Sequence, residues 1–73
     1  MHPYEREIYL NNVERKIIDL IILGKNNKEI AGAIGLSSGT VKNYVSKLLQ
    51  KYNYKSRVEL AIFFERNRGV LHK

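Results

Sequence analysis

Lysine, asparagine and serine recur within residues 39–51 at spacings that suit contact with a nucleic acid. On a helix, at 100° per residue, one face of this segment is polar and has no acidic residue: Gly39, Thr40, Asn43, Ser46, Lys47 and Gln50, flanked by Lys42, Tyr44 and Lys51. Asparagine can pair with adenine through two hydrogen bonds, and lysine donates to O6 and N7 of guanine. The pattern favours a helix that contacts DNA bases; the alternative is an amphipathic helix whose polar face is merely solvated.

The positive charge of the chain is concentrated around this segment. The 73 residues include 13 basic and seven acidic side chains, for a net charge of +6. Residues 25–57 hold seven of the basic and one of the acidic residues, so the rest of the chain is neutral overall. A focused basic patch attracts polyanions, nucleic acid before anionic membrane. The alternative is a basic surface that only keeps a small protein soluble.

Residues suited to catalysis, metal binding or membrane insertion are scarce. There is no cysteine, and the two histidines, His2 and His72, lie at opposite ends. We therefore expect no enzyme, metal site or cofactor. The longest apolar stretch, residues 17–23, is far shorter than the roughly 20 residues of a membrane span. Glu5 and Glu7 stand where a signal peptide would be apolar, so we expect no export and a cytoplasmic location. If the chain contacts DNA, we expect it to be nucleoid-associated.

Helix start and stop signals alternate along the chain. Four possible N-caps are each followed three residues later by a possible partner: Asn11 and Glu14, Asn26 and Glu29, Ser37 and Thr40, Ser56 and Glu59. The three pairs that end in glutamate have the form of a capping box. Four residues that readily end helices interleave with these pairs: Gly24, Gly35, Asn53 and Gly69. The pattern predicts an all-α fold with helices at about 12–23, 27–34, 38–52 and 57–67.

The last predicted helix is apolar over most of its circumference. We expect one set of its apolar residues to face the core: Val58, Ala61 and Ile62. A small bundle covers only one side of this helix, so the other set would remain in water: Leu60, Phe63 and Phe64. Pairing with a second copy of the chain would remove that exposure. The sequence therefore predicts a homodimer whose interface contains Leu60, Phe63 and Phe64.

The two middle helices are joined by Gly35-Leu36-Ser37, the pattern of a helix-turn-helix. A longer series of motifs runs from Leu10 to about Ile62: Glu14-Arg15, Leu20-Ile21, Gly24, Asn27-Lys28-Glu29-Ile30-Ala31, Ser37, Thr40-Val41-Lys42-Asn43, Val45-Ser46, Lys51 and Lys55-Ser56-Arg57-Val58-Glu59. By these motifs the chain resembles the LuxR-type (NarL/FixJ output, GerE-like) helix-turn-helix domains. That family favours leucine and valine where this chain has Tyr52 and Tyr54.

The resemblance implies a four-helix bundle whose third helix enters the major groove and whose fourth helix pairs two copies. It implies a sequence-specific transcriptional regulator of bacteria or their phages. The candidate base contacts are Lys42, Asn43, Ser46 and Lys47, of which the resemblance supports the first three most. The candidate phosphate contacts, chosen by position, are Lys28, Thr40, Tyr44, Lys51 and Lys55. Each base candidate can instead contact a phosphate. Ser37 and Glu29 are interpreted as helix caps rather than as DNA ligands.

We expect three regions: an N-terminal extension over 1–10, the DNA-binding domain over 11–69 and a tail over 70–73. The initial methionine and the lack of a tag favour a stand-alone regulator; the alternative is the excised output domain of a longer protein. The expected partners are double-stranded DNA and a second copy, with RNA polymerase as a further candidate and no membrane or small-molecule ligand. The alternative function is a protein-interaction module, an adaptor or antagonist that would use Leu23, Phe63 and Phe64.

Overall fold

The computed structural model describes residues 10–67, which form four α-helices and no strand. They are α1 (Asn12–Ile22), α2 (Asn27–Ile34), α3 (Ser38–Tyr52) and α4 (Arg57–Arg66). The predicted all-α class is confirmed, and every predicted helix end lies within one residue of the observed one. Residues 1–9, the predicted stop at Gly69 and the tail over 70–73 lie outside the described residues.

Helices α1 and α2 each begin with a complete capping box. The Glu14 backbone N–H donates to Asn11 Oδ1 at 2.8 Å, and the Asn11 N–H donates to Glu14 Oε1 at 3.0 Å. Asn26 and Glu29 make the same exchange at 2.8 and 2.9 Å. Each box satisfies N–H groups that have no partner within the helix, which explains why both helices begin where the sequence predicts.

Single serine caps start α3 and α4. Ser37 Oγ accepts from the Thr40 N–H at 3.1 Å, and the two hydroxyl oxygens are 2.9 Å apart. At α4, Ser56 Oγ accepts from the Glu59 N–H at 3.3 Å. The Glu59 carboxylate, however, accepts from the N–H of Lys55 at 3.1 Å. The predicted capping box between Ser56 and Glu59 is thus only half formed, because the glutamate reaches one residue further back.

Left-handed residues follow the first three helices, as the stop signals predict. Gly24 has a φ of 84°, Gly35 a φ of 76° and Asn53 a φ of 62°. At the end of α2, the N–H groups of Gly35 and Leu36 both donate to the Ala31 carbonyl, at 2.9 and 3.0 Å. These bonds reverse the chain within a few residues, so α3 starts directly beside the end of α2.

The core is apolar and draws on all four helices. Its buried residues are Ile17, Ile18, Ile21, Ile30, Ala31, Val41, Val45, Leu48, Leu60 and Phe64. Helix α2 packs against α3, and α1 packs against α4 and also contacts the middle helices. Three of the buried residues belong to α3 and hold one side of that helix against the rest of the bundle, which turns its polar side outward.

The predicted faces of α4 are wrong. Leu60 and Phe64 are both 0% exposed and Phe63 is half-buried, whereas Val58 is 64% and Ile62 is 47% exposed. Both sides of this helix are apolar, so periodicity does not decide between them. The observed orientation buries the larger side chains, which removes more apolar area from water. The predicted dimer interface is therefore wrong for Leu60 and Phe64, which are buried within their own subunit, whereas Phe63 is half-buried and packs against the core.

An aromatic cluster connects the end of α3 to α4. The Phe64 ring lies edge-on to Tyr52 and to Phe63, with centroid distances of 5.0 Å in both cases. Tyr54 extends the cluster, with its centroid 5.6 Å from that of Phe63. Edge-to-face pairs add stabilisation beyond their buried area. The two tyrosines, where the resembled family favours smaller residues, thus help to set the position of α3 relative to α4.

Candidate nucleic-acid interface

The four predicted base-contacting residues lie together on the solvent side of α3. All four are exposed: Lys42, Asn43, Ser46 and Lys47. The opposite side is anchored by the buried residues Val41, Val45 and Leu48. The buried anchor fixes the backbone of the helix, while the exposed side chains remain free to adjust to a ligand. The structure therefore brings the predicted residues into one surface, which we call the α3 outer face: Gly39, Lys42, Asn43, Ser46 and Lys47.

The length of this surface limits how many bases it can reach. An α-helix rises about 1.5 Å per residue, so Lys42 and Lys47 are separated by about 7.5 Å along the axis. B-DNA rises about 3.4 Å per base pair. The α3 outer face therefore matches about two or three base pairs of a single major groove. A major groove about 12 Å wide admits one helix of this kind.

The predicted phosphate-contacting residues lie on three different segments around α3. Three are exposed lysines: Lys28 in the first turn of α2, Lys51 in the last turn of α3 and Lys55 in the following loop. Thr40 and Tyr44 are half-buried on the flank of α3. The set surrounds the α3 outer face rather than forming one patch, which is the arrangement expected of groups that follow the two DNA strands beside a groove.

Three of the surrounding groups have interactions within the chain. The Thr40 hydroxyl shares a hydrogen bond with Ser37 Oγ. Tyr44 packs in part against the core. The Lys51 ammonium lies 5.4 Å from the centroid of the Tyr52 ring, within the range of a cation–π contact. These interactions restrict the side chains, so the cost of ordering them on a ligand is reduced. The exposed lysines of α2 and the α3–α4 loop carry no comparable restraint among the hydrogen bonds described.

Arg57 makes a connection that the sequence did not indicate. It is half-buried at the start of α4; its Nη1 donates to Asn27 Oδ1 and its Nη2 donates to the Lys25 carbonyl at 3.0 Å. These partners lie 30 and 32 residues earlier in the chain, so no local motif reveals the contact. The guanidinium thereby joins the start of α4 to the start of α2, where Lys28 is located.

The exposed side of α4 carries apolar side chains next to the charged residues Glu59, Glu65 and Arg66. Val58 and Ile62 are exposed and Ala61 is half-buried; we call these three residues the α4 outer face. Together with Ile21 they line a shallow hollow between α4 and the end of α1. A smaller hollow on the other side of Ile62 includes Ile22. The α4 outer face is thus continuous with apolar side chains of α1.

Within residues 10–67, no three histidine, cysteine, aspartate or glutamate side chains come together as metal ligands would. None of the four helices is both long and apolar enough to span a bilayer.

A short helix, a tight turn and a longer helix with an exposed basic face define a helix-turn-helix DNA-binding domain. The family described as bacterial regulatory proteins, luxR family (GerE), matches residues 9–64. The chain therefore belongs to the luxR family. The resemblance inferred from the motifs is confirmed, as is the class of transcription-regulator domains to which it points.

Several curated proteins of this kind are similar to the chain. The transcriptional regulatory protein DesR of Bacillus subtilis is 44% identical over 50 residues, which cover 68% of this chain and 25% of DesR. The probable transcriptional regulator ycf29 of Porphyra purpurea is 40% identical over 71 residues, covering 97% of this chain and 34% of ycf29. The DNA-binding transcriptional activator DevR/DosR of Mycobacterium tuberculosis is 43% identical over 54 residues, covering 74% of this chain and 25% of that activator.

The chain thus spans about a quarter to a third of the length of these relatives. No solved structure gives a significant match to it.

Proposed function

We propose that the chain binds double-stranded DNA sequence-specifically, with α3 in the major groove, and thereby regulates transcription. The observation that carries this proposal is the α3 outer face, a surface exposed over its full length and opposed by buried anchors on the same helix. The family supports it, because the similar proteins are named transcriptional regulators. A cytoplasmic, nucleoid-associated location follows from the same proposal.

Contacts to the DNA bases are assigned to the α3 outer face. Asn43 lies most directly opposite the buried stripe, and its amide can recognise adenine through two hydrogen bonds. Lys42 and Lys47 can donate to guanine, and the Ser46 hydroxyl can donate or accept. These short-range contacts distinguish one base pair from another.

Contacts to the DNA phosphates are assigned to the groups that surround the α3 outer face. The lysines that reach phosphates on both sides of the groove are Lys28, Lys51 and Lys55. The hydroxyl groups of the half-buried residues Thr40 and Tyr44 add shorter contacts. Contacts to phosphates fix the register of a protein on DNA but do not distinguish sequences. They also release counterions, so they make the affinity depend steeply on salt.

The proposed active form is a homodimer that pairs through the α4 outer face. Val58 and Ile62 are among the most exposed large apolar side chains of the described residues. A chain of this size buries only about 60% of its unfolded surface, so it gains stability from a partner. A two-fold contact uses the same patch on both copies. Two copies of α3 would then lie about one helical turn apart, on an imperfect palindrome.

One observation favours a second candidate function. Leu23, which follows α1, is 71% exposed, more than any other large apolar residue described. Contact with another protein would cover this leucine and remove its apolar surface from water. In that case the helix-turn-helix would serve as an adaptor or antagonist of another regulator, or would contact RNA polymerase while bound to DNA.

The proposal is tested by selection of bound duplexes from a random pool, followed by salt titration on the enriched sequence. We expect an enriched palindrome and a slope of log K against log salt of about −5 to −9, for three to five phosphates neutralised per subunit. A Lys28→Ala, Lys55→Ala variant serves as the control and should show a shallower slope. Binding without any enriched sequence, or with little dependence on salt, would contradict the proposal and favour the protein-interaction alternative.

A further inference from the structure

Gly39 occupies a position in α3 where the folded chain does not require a glycine. It is the second residue of the helix and is exposed, and its φ is not in the left-handed region. A Cβ built at this position meets only Ser37 Oγ, at 4.0 Å, which is an ordinary van der Waals distance. Neither backbone geometry nor internal packing therefore excludes a larger residue.

The same glycine lowers the stability of its helix. Glycine is less favourable than alanine in an exposed helix because it loses more backbone freedom on folding. Gly32, an exposed residue within α2, has the same properties, since a Cβ there meets nothing within 4 Å. The chain thus contains two matched positions at which alanine should fit the fold better than the residue present.

The two positions differ in what lies beside them. Gly39 precedes Lys42 by three residues and Asn43 by four, so it lies on the same face as both. Helical side chains tilt towards the N-terminus, so the Asn43 side chain extends over the turn that contains Gly39. In helix-turn-helix proteins the N-terminal part of the recognition helix contacts base edges. Gly32, by contrast, is on the solvent side of α2 and outside the α3 outer face.

We propose that Gly39 is a specificity-determining residue that sets how deeply α3 enters the major groove. Without a Cβ at this point, the backbone of the first turn approaches the DNA closely enough for the short Asn43 side chain to reach the bases. A methyl group would hold this end of the helix away from the DNA and lengthen a direct hydrogen bond from Asn43 beyond its usual range of about 2.7–3.2 Å. Long lysine side chains adjust to such a shift, so the phosphate contacts persist. The inference rests on the proposed function.

The test compares Gly39→Ala with Gly32→Ala in the full chain. We expect both variants to raise Tm by about 2–5 °C, since each removes a glycine from a helix. Gly39→Ala should weaken binding to the selected operator about tenfold and binding to random duplex less than twofold, with the salt slope unchanged. Gly32→Ala should retain the wild-type ratio of specific to random binding. A gain in stability together with a loss of discrimination is not expected of a purely structural residue.

Three results overturn the inference. If Gly39→Ala keeps the wild-type ratio of operator binding to random-duplex binding, the missing Cβ does not govern recognition. If Gly32→Ala loses discrimination to the same extent, the effect does not depend on the α3 outer face. If Gly39→Ala lowers Tm, the glycine serves the fold itself. Failure of the proposed function is recognised separately, because wild type would then select no DNA sequence.

Discussion

Replacing Val58 and Ile62 with glutamate tests where two copies of the chain meet. Full burial of such a side chain stabilises by about 1.5–3 kcal/mol. Because Val58 is 64% exposed and Ile62 is 47% exposed, covering them contributes about 2–3 kcal/mol per subunit. A two-fold interface uses both copies, so the pair accounts for about 3–7 kcal/mol of dimer stability. The Val58→Glu, Ile62→Glu variant should therefore weaken the dimer at least about 100-fold.

Sedimentation equilibrium of wild type and variant measures this change, and circular dichroism shows whether the subunit remains folded. We expect near-wild-type helicity, because both side chains point out of the core and glutamate is a good helix former. The matched control is Leu23→Glu, which makes the same chemical change at a side chain that is 71% exposed but lies outside α4. It should leave the dimer intact.

Three results would refute the reasoning. A wild-type chain that is monomeric at tens of micromolar, both free and on its operator, would refute the dimer itself. A double variant that stays dimeric while Leu23→Glu dissociates would place the contact on α1 instead. A variant that unfolds would show that Val58 and Ile62 serve the core, contrary to their observed exposure.

Two further predictions concern recognition and the link between helices. Asn43→Ala should reduce the binding free energy by about 1–3 kcal/mol on the selected operator and by little on random DNA. Lys28→Ala should weaken binding to all sequences alike and reduce the salt slope by about one per subunit. If the two variants behave identically in a competition assay, the assignment of Asn43 to base contacts and of Lys28 to phosphate contacts is contradicted. Arg57→Ala should lower the free energy of unfolding by about 1–3 kcal/mol, because its hydrogen bonds to Asn27 and Lys25 are lost. Arg57→Lys should lose less of this stability. An unchanged Tm in Arg57→Ala would show that the contact does not stabilise the fold.

The helix boundaries were predictable because their signals are local. The asparagine caps and their glutamate partners are three residues apart, and Gly35 and Asn53 end helices by adopting a conformation that few other residues tolerate. The outward direction of Asn43 was predictable for a similar reason, since the buried stripe on the other side of α3 is unambiguous. Sequence therefore located both the elements and the proposed reading surface.

The orientation of α4 was not predictable in this way. Both of its sides are apolar, so spacing alone allows either Leu60 and Phe64 or Val58 and Ile62 to face inward. The choice depends on the volume available between α1 and α3, which is a property of the assembled bundle. The bonds of Arg57 are also determined by the assembled fold, because their partners are distant in sequence.

The Arg57 contact has a consequence for the search for genomic binding sites. It joins the proposed pairing helix to the first residue of α2 by one hydrogen bond and to the loop before α2 by a second. In a dimer built on α4, the separation of the two reading helices would then be rigid. One extra base pair between half-sites shifts the second by about 3.4 Å and rotates it by about 34–36°. Operators of altered spacing should therefore engage only one subunit, and a genome can be searched with the spacing held constant.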